Sequence, residues 1–392
     1  MFRPSIQKLS TLMLMSVFCV VMAFISMYFK TTEYKKGYSY KVEAREVMSD
    51  ALSELKVEAE KIYNEESSSA LVNDETLDPL NSGLIFYCDD SDGRLSSKLS
   101  TLNPNFSALI VDLFIQSGLK EGDNIAVAFT GSMPGANIAV LSACKAMGIK
   151  PTIISSLSAS NWGACDYERF SWFDMEEELR LFFQSKDYKS IAYSIGKGGD
   201  IGSSLPKKTI DIINEKIHPP TSNLSNLAKD LTYHVEKRIN KYLGYDNSDF
   251  KLYVNVGGGV ASLGTYPGIK ERVGYLTVDS LKSLKQSRQL NGNSVMAKMA
   301  LEHGVPAVNI IDIEQLIDGK LNLIDIGVND ESSIDSSLGY IDEGRLFSQR
   351  KYNLLIVVPC LLLSLLLVLS IGLYSHFQIK RRMSSYEPDS IS

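Results

Sequence analysis

Two long uncharged segments, one near each end of the chain, constrain the fold of this sequence more than any other feature. Residues 11–29 read TLMLMSVFCVVMAFISMYF, and residues 353–375 read NLLIVVPCLLLSLLLVLSIGLYS. A helix needs about 20 apolar residues to cross the hydrocarbon core of a bilayer. Both segments reach that length, and the density of leucine in the second suits lipid better than a protein core. The sequence therefore predicts two transmembrane helices surrounded by membrane lipid.

The first segment could instead be a cleaved signal peptide. Its apolar run is longer than the core of a typical signal peptide, and no A-x-A-like cleavage motif follows Phe29. An uncleaved anchor is therefore favoured. Lys380, Arg381 and Arg382 directly follow the second segment, which is typical of a cytoplasmic flank. We expect a cell (inner) membrane protein with both termini in the cytoplasm and the long middle region outside it.

The region between the two segments divides by composition. After the first span, apolar residues recur at three- and four-residue steps among Glu and Lys, which predicts an amphipathic helix packed on the surface of the following domain. The stripe consists of Met48, Leu52, Leu55, Ala59 and Ile62. The predicted organisation is a cytoplasmic tail (1–10), a transmembrane helix (11–29), a juxtamembrane amphipathic helix (34–64), a linker (65–82), an extracytoplasmic α/β domain (83–315), an acidic tether (316–352), a transmembrane helix (353–375) and a cytoplasmic tail (376–392).

Within the middle domain, short apolar strands alternate with amphipathic helices. Strands are predicted at 83–88, 124–129, 150–156, 189–196, 251–259 and 305–312, and helices at 103–119, 135–148, 174–185, 207–218, 222–244 and 293–304. Strands that are apolar on both faces and alternate with helices indicate a parallel sheet covered on each side. The predicted fold class is α/β, with a Rossmann-like parallel sheet and helices on both faces.

Three loops that follow predicted strands are rich in glycine: TGSMPG (130–135), SIGKGGDIGSS (194–204) and NVGGGVASLG (255–264). Ligands of doubly wound sheets bind beyond the carboxyl ends of the strands. Free backbone N–H groups at a helix start favour an anion there, and Pro134 with Ser132 suits such a start. The alternative is that these glycines only make tight turns. The candidate ligand-binding residues are Gly131, Ser132, Gly135, Asn137, Ser160, Asn161, Trp162, Gly198, Gly199, Gly257, Gly258 and Gly259.

The loop at 155–166, SSLSASNWGACD, carries small polar residues around Trp162, and Trp172 follows closely. A tryptophan in such a loop suggests a ligand platform or a lid, although an anchor packed beneath the loop explains it equally well.

The signatures of nucleotide and metal sites are missing. TGSMPG lacks the spacing and the lysine of a P-loop, and Pro267 interrupts the helix that a G-x-G-x-x-G motif at 257–262 would need. No group of His, Cys and carboxylate residues has metal-ligand spacing. A net charge of −6 argues against nucleic acid as a general partner. We therefore predict no cofactor and no metal.

An enzymatic role depends on Ser132 or Ser160 as a nucleophile. The segment GSMPG is not G-x-S-x-G. Only His218, His234 and His303 lie in the domain as partners, and the last two fall within helical patterns. A catalytic serine, with Ser132 as the weak candidate, is therefore an alternative and not the favoured interpretation.

The acidic and thiol groups of the domain fit structural roles. Asp174, Glu176 and Glu177 are expected to form a solvated first helical turn, where negative charge is stabilised. Three cysteines lie in the domain, namely Cys88, Cys144 and Cys165. Three unlinked, mostly buried thiols are favoured over one disulfide with one free thiol.

Taken together, several segments resemble the poly-gamma-glutamate system proteins, which accompany poly-gamma-glutamate synthase and capsule export. They are NPNFSALIVDL, GSMPGANIAVLSACKAMGIKPTIISS, SASNWGA, DMEEEL and VNVGGGVASLG, and they cover most of residues 103–264. The resemblance implies a membrane-bound accessory protein of a machine that makes or exports the polymer. It implies the synthase or export membrane subunits as partners, and in addition the polymer itself. The resemblance identifies no catalytic residues.

Physical chemistry both supports and limits binding of the polymer. Each γ-linked glutamate carries a carboxylate, which glycine N–H groups and the nearby Lys197, Lys207 and Lys208 could bind. An acidic domain repels a polyanion unless its basic groups are concentrated locally. Two alternatives stay open at this point: an extracytoplasmic hydrolase or transferase acting on the amide bonds of the polymer, and a cytoplasmic-facing nucleotide or phosphosugar binder.

Overall fold

The computed structural model of the chain describes residues 8–66, 82–91, 93–217, 222–225, 230–244, 249–290, 292–317 and 346–384. The chain forms two compact units. One combines the terminal regions, Met1–Tyr34 and Ser348–Ser392, and the other is Lys35–Phe347. We name them the terminal unit and the α/β domain.

Helices and short strands succeed one another along most of the described chain. In chain order they are α1 (Leu9–Tyr28), β1 (Lys30–Tyr34), α2 (Tyr38–Glu66), β2 (Phe86–Tyr87), α3 (Leu95–Ser100), α4 (Asn105–Ser117), β3 (Asn124–Thr130), α5 (Pro134–Met147), β4 (Lys150–Ser156), β5 (Trp162–Gly163), α6 (Trp172–Phe183), β6 (Ala192–Ser194), α7 (Lys207–Lys216), α8 (Leu231–Leu243), β7 (Phe250–Val256), α9 (Val260–Leu263), α10 (Pro267–Lys270), β8 (Gly274–Leu276), α11 (Val278–Gln286), α12 (Val295–His303), β9 (Ala307–Ile310), α13 (Ile313–Ile317), β10 (Ser348–Tyr352) and α14 (Leu354–Ser384).

The terminal unit consists of two apolar helices joined by a small ribbon. Helices α1 and α14 are long and apolar enough to cross a membrane, and of their described apolar side chains only Cys360 is buried. Strands β1 and β10 pair antiparallel, with Lys30 opposite Tyr352. The two apolar terminal helices agree with the sequence prediction. The ribbon does not, because 348–352 was predicted as part of the tether.

The α/β domain is built on a six-stranded sheet in the order β6-β4-β3-β7-β9-β8. All neighbouring strands are parallel except β8, which runs antiparallel to β9. From β3 the chain builds outward through β4 to β6 and then returns to the other side of β3 for β7 and β9. The direction of building therefore reverses between β3 and β7. The α/β class with a mostly parallel sheet is confirmed.

Two elements of the sheet region differ from prediction. The predicted strand 83–88 is reduced to β2, which pairs with β5 in a separate two-stranded ribbon. Strand β8 was not predicted, because three residues within an irregular segment carry too little pattern to be recognised.

The core lies on both faces of the sheet, which explains why its strands are apolar on both sides. Ile125, Val127 and Phe129 of β3 belong to a buried cluster shared with α2, α4, α5 and α6. Ala126 and Ala128 of the same strand belong to a second cluster shared with α8, α11 and α12.

Helix α2 packs against α4, α5 and α6. Met48, Leu55 and Ala59 of its predicted stripe are fully buried. The helix begins at Tyr38 and not at residue 34, because β1 precedes it and Gly37 turns the chain with a φ of 73°. Much of its length is thus part of the core of the domain.

Other boundaries also shift. The predicted helix 222–244 begins at Leu231, where the carboxylate of Asp230 accepts a hydrogen bond from Tyr233 N (2.8 Å) and caps it. Residues 222–225 are not α-helical. Both terminal helices extend into the predicted tails, 1–10 and 376–392. The linker 65–82 and the tether 316–352 lie mostly outside the described residues.

Candidate functional site

The predicted glycine loops meet at one edge of the sheet, where β3, β4, β6 and β7 have their carboxyl ends. Leu157 N donates to Ser194 O (2.9 Å), which joins the loops after β4 and β6. A Cβ at Gly257 would lie 2.2 Å from Thr130 Cγ2, so the loop after β7 touches the end of β3. Helix α9 packs against the 3₁₀ turn Gly198–Asp200. We name this region the strand-end cluster, made of residues 130–135, 157–165, 196–203 and 257–260.

Several of the glycines are needed so that the loops can pack on one another. A Cβ at Gly131 would lie 2.2 Å from Leu157 O, and one at Gly135 would lie 2.6 Å from Thr101 Oγ1. At these positions, as at Gly257, a neighbouring group occupies the space beside the backbone. The loops converge as expected, but their inner glycines face protein.

Four glycines on the outer side of the cluster reach solvent, although Ser203 and Ser204 occupy the space beside Gly198. Gly198, Gly199 and Gly258 are exposed and Gly259 is half-buried. Their backbone N–H groups make no hydrogen bond to any residue that the structure describes. Such groups are available to an anion or to a carbonyl oxygen.

Ser132 and Ser160 face each other across the cluster. Ser160 N donates to Ser132 Oγ (2.9 Å), and the two hydroxyl oxygens lie 3.3 Å apart. Ser132 does not cap α5 as predicted, because Met133 occupies the cap position and Pro134 begins the helix. Within the described residues, neither hydroxyl bonds to a histidine or a carboxylate. No described histidine or carboxylate therefore serves either serine as a directly bonded base in this geometry.

Asn161 and Trp162 are held by the segment that precedes α3. Asn161 N donates to Ser91 Oγ (2.9 Å) and to Asp89 Oδ1 (3.2 Å), and its φ of 50° places it in the left-handed region. The half-buried Trp162 ring stands edge-on to Tyr87, with ring centres 5.4 Å apart. These contacts hold the loop at 157–165, which was predicted as a ligand platform, against the segment at 87–91.

A disulfide joins the same two segments. It links Cys88 to Cys165 across 77 residues of sequence, while Cys144 is buried and free. The prediction of three unlinked thiols is therefore wrong. Spacing could not reveal the pair, because only the tertiary fold brings β2 alongside the loop at 157–165.

Lys98 is the feature of the site that sequence reasoning missed. It lies on α3 and is 2% exposed, and its Nζ donates to Ser160 O (2.7 Å) and to Trp162 O. Burial, reinforced by the nearby charge of Lys197, lowers the pKa of Lys98 to about 7. The segment LSSKLS gave no signal of this, since a single lysine in a polar stretch usually lies in solvent.

The second lysine of the cluster, Lys197, forms an ion pair with Asp89. Partial burial works to raise the pKa of Asp89, but hydrogen bonds from Lys197 and Ser91 outweigh it and hold that pKa below its usual range. When Lys98 is protonated, it adds one positive charge beside the Lys197–Asp89 ion pair. Lys208, which was predicted to contribute charge to the site, is instead paired with Glu168 at the surface.

The turn at 197–200 is strained and anchored from within. Its four residues have φ values of 42°, 42°, 76° and 74°, although only two of them are glycine. At its end, the buried Asp200 carboxylate accepts from Arg238 Nη2 (2.8 Å). Arg238 Nη2 also donates to Ser194 Oγ (2.6 Å) and to Ser156 Oγ (3.0 Å). This buried network holds the open glycines in place.

His234 lies beside this network and not beside Ser132. Its Nδ1 is 3.5 Å from Asp200 Oδ2, and both ring nitrogens lack a hydrogen bond. Burial lowers the pKa of His234 despite the nearby Asp200. His303 is exposed at the end of α12, and His218 lies outside the described residues.

Two polar residues that were predicted to bind a ligand or to face solvent are buried in the domain. Asn137 is fully buried, and its Nδ2 donates to Thr130 O (2.9 Å). Glu176 is also fully buried and accepts from Tyr193 OH (2.7 Å) and Ser190 Oγ (2.8 Å), so the expectation of a solvated first turn is wrong for it. Trp172 is fully buried, and its Nε1 donates to Ser155 Oγ (3.1 Å).

Among the described residues, no group of three or more His, Cys, Asp or Glu residues could hold a metal ion. No family model, no curated protein and no solved structure matches this chain.

Proposed function

We propose that this chain is a two-span membrane protein of the poly-gamma-glutamate system. Its α/β domain would lie outside the cytoplasm and bind the polymer, or the synthase and export subunits, through the strand-end cluster. The observation that carries the proposal is spatial. The segments responsible for the resemblance, GSMPG, SASNWGA and VNVGGG, come together at one edge of the sheet beside Lys98 and Lys197.

The disulfide supports an extracytoplasmic location of the α/β domain. Disulfides persist in oxidising compartments and are rare in the cytoplasm. The Cys88–Cys165 bond lies in the domain and thus favours an extracytoplasmic position. It also argues against the alternative of a cytoplasmic-facing nucleotide or phosphosugar binder.

The architecture supports a binding role at the same edge. Numbered along the chain, the sheet order is 3-2-1-4-6-5, which shares its first four positions with the 3-2-1-4-5-6 order of Rossmann-like sheets, the fold type that we infer; its last two strands are exchanged and the edge strand β8 is antiparallel. Such sheets bind ligands where the building direction reverses. Here that point lies between the loops after β3 and β7, which carry Ser132, Gly258 and Gly259.

The chemistry suits a carboxylate-bearing chain. Unbonded N–H groups at Gly199 and Gly258 can donate to carboxylate oxygens, and protonated Lys98, beside the Lys197–Asp89 ion pair, adds one net positive charge in an otherwise acidic protein. Among the described residues, Ser132 Oγ bonds only to Ser160 and to no histidine, carboxylate or amine, so we favour a binding protein over a hydrolase or transferase.

Binding to the purified full chain in nanodiscs tests this proposal. We expect γ-linked oligoglutamate to bind the parent chain, to bind Lys98→Met and Lys197→Met at least several-fold more weakly, and to bind the surface control Lys208→Met unchanged. Affinity should fall as the pH rises through about 7, because Lys98 then loses its proton.

A genetic experiment tests the cellular role. Deleting the gene should change the amount, length or surface display of the polymer. If all three stay the same, the proposed role is wrong, whatever the domain binds in isolation.

A further inference from the structure

The ribbon of β1 and β10 has two chemically different faces. Residues directly opposite in an antiparallel pair share a face, and successive residues alternate. Lys30, Thr32, Tyr34, Ser348 and Tyr352 therefore lie on one face, which we name the Tyr352 face and of which Ser348 is buried. Thr31, Glu33, Gln349 and Lys351 lie on the other, which we name the Glu33 face.

The side chains of the Glu33 face satisfy one another. Glu33 forms an ion pair with Lys351, and Gln349 Nε2 donates to Glu33 Oε2 (2.9 Å). Hydrogen bonds from Lys351 and Gln349 lower the pKa of Glu33, so it stays ionised in water. This face has the character of a solvated surface.

The Tyr352 face is aromatic and cationic. Tyr352 is 55% exposed and Tyr34 is 59% exposed. The ammonium group of Lys30 lies 5.5 Å from the centre of the Tyr352 ring. Tyrosine rings with lysine amines are the side chains that concentrate at membrane interfaces, where an apolar body meets a charged surface.

Chain connectivity sets the depth of this ribbon. Only Phe29 separates α1 from β1, and only Asn353 separates β10 from α14. Tyr28 and Phe29, which are 82% and 50% exposed, stack edge to face at the end of α1. If the two helices span a bilayer, the pair of Lys30 and Tyr352 is held at the level of the lipid headgroups.

We propose that the Tyr352 face lies on the bilayer surface at the domain-side ends of the two spans, and that Lys30 there contacts an anionic phospholipid headgroup. The ribbon thereby fixes the depth of the two helices. This inference rests on the proposed two-span topology, but it does not depend on the polymer.

Two tryptophan variants of the full chain, in nanodiscs of phosphatidylcholine and phosphatidylglycerol, test which face meets lipid. Tyr352→Trp places an indole on the Tyr352 face and Gln349→Trp places one on the Glu33 face. The signal is the difference from the parent chain, which already contains Trp162 and Trp172. We expect brominated lipid to quench position 352 strongly and position 349 weakly, with acrylamide showing the reverse order. Equal acrylamide access at both positions would overturn the proposal.

A matched pair of charge variants tests the headgroup contact. Lys30→Gln and Lys351→Gln remove the same charge from opposite faces of one ribbon. We expect Lys30→Gln to weaken retention of phosphatidylglycerol about fivefold, as for one lysine at a membrane surface, with Lys351→Gln unchanged. An equal loss in both variants would contradict a specific contact.

Alkaline carbonate extraction of the parent chain from membranes separates this inference from the proposed topology. Extraction of the chain into the soluble fraction would refute both. Retention in the membrane together with solvent-exposed indoles at positions 352 and 349 would refute the ribbon alone.

Discussion

Removing the disulfide is the perturbation whose effect follows most directly from this structure. The double variant Cys88→Ser/Cys165→Ser opens a cross-link that spans 77 residues. The chain-entropy relation for a loop of that length gives about 4.5 kcal/mol of stabilisation, and native disulfides deliver about 2 to 5 kcal/mol. We expect the free energy of unfolding of the α/β domain to fall by about 2 to 4 kcal/mol. The freed β2 segment carries Asp89, so the Lys197 ion pair should weaken as well.

Tryptophan emission during urea unfolding measures this loss in the intact protein. The chain has two tryptophans, and both lie in the α/β domain, so helices α1 and α14 do not contribute to the signal. Trp172 is fully buried with its ring centre 5.7 Å from that of Phe129, so its emission should shift on unfolding. Cys19→Ser in α1 is the control and should leave the transition unchanged.

Two results would refute this reasoning. One is a loss below about 1 kcal/mol in the double variant, which lies under the range for native disulfides. The other is alkylation of Cys88 and Cys165 by maleimide in unreduced protein taken from cells. That second result would also remove the main support for an extracytoplasmic domain.

Four further substitutions, at Arg238, Asp200, Glu176 and Lys98, test the buried charges by the same urea assay. Arg238→Met leaves Asp200 buried without its cation and should lower the free energy of unfolding by about 3 to 5 kcal/mol. Adding Asp200→Asn should recover part of that loss, and a double variant no better than Arg238→Met would contradict the pairing. Burial raises the pKa of Glu176, although its hydroxyl donors oppose the shift. The parent should therefore lose stability relative to Glu176→Gln as the pH rises above 4.5, and parallel pH profiles would contradict this. Because burial lowers the pKa of Lys98 to about 7, the parent should gain stability relative to Lys98→Met between pH 7 and 10.5, and the opposite slope would show that the amine is not desolvated.

The candidate site illustrates what sequence reasoning could reach. Glycine loops after apolar strands predicted a meeting point at the sheet edge, because parallel strands bring their carboxyl ends together. Which glycines stay open could not be predicted. Gly131 and Gly258 look alike in sequence, but Leu157 O closes on the first, while the nearest atom to a Cβ at the second would be Ile311 Cδ1 at 3.8 Å.

The buried charges show the same limit more clearly. The motif KGGD predicted a turn but gave no sign that its aspartate points inward. The cation that neutralises it, Arg238, comes 38 residues later on a helix. Lys98 likewise reaches Ser160 across 62 residues. A local sequence pattern does not identify such a partner, because the pairing depends on how the helices pack on the sheet.

By itself, the sequence determined the features that depend on near neighbours along the chain. These are the two apolar terminal helices, the alternation of strands and helices, and local stops such as the left-handed Gly118 that ends α4. Each follows from the period or the backbone freedom of a short segment. Only the tertiary structure decided the pairing of β1 with β10, the Cys88–Cys165 bond and the depressed pKa of Lys98. These features arise from contacts between distant segments, and their energies depend on burial that no local pattern specifies.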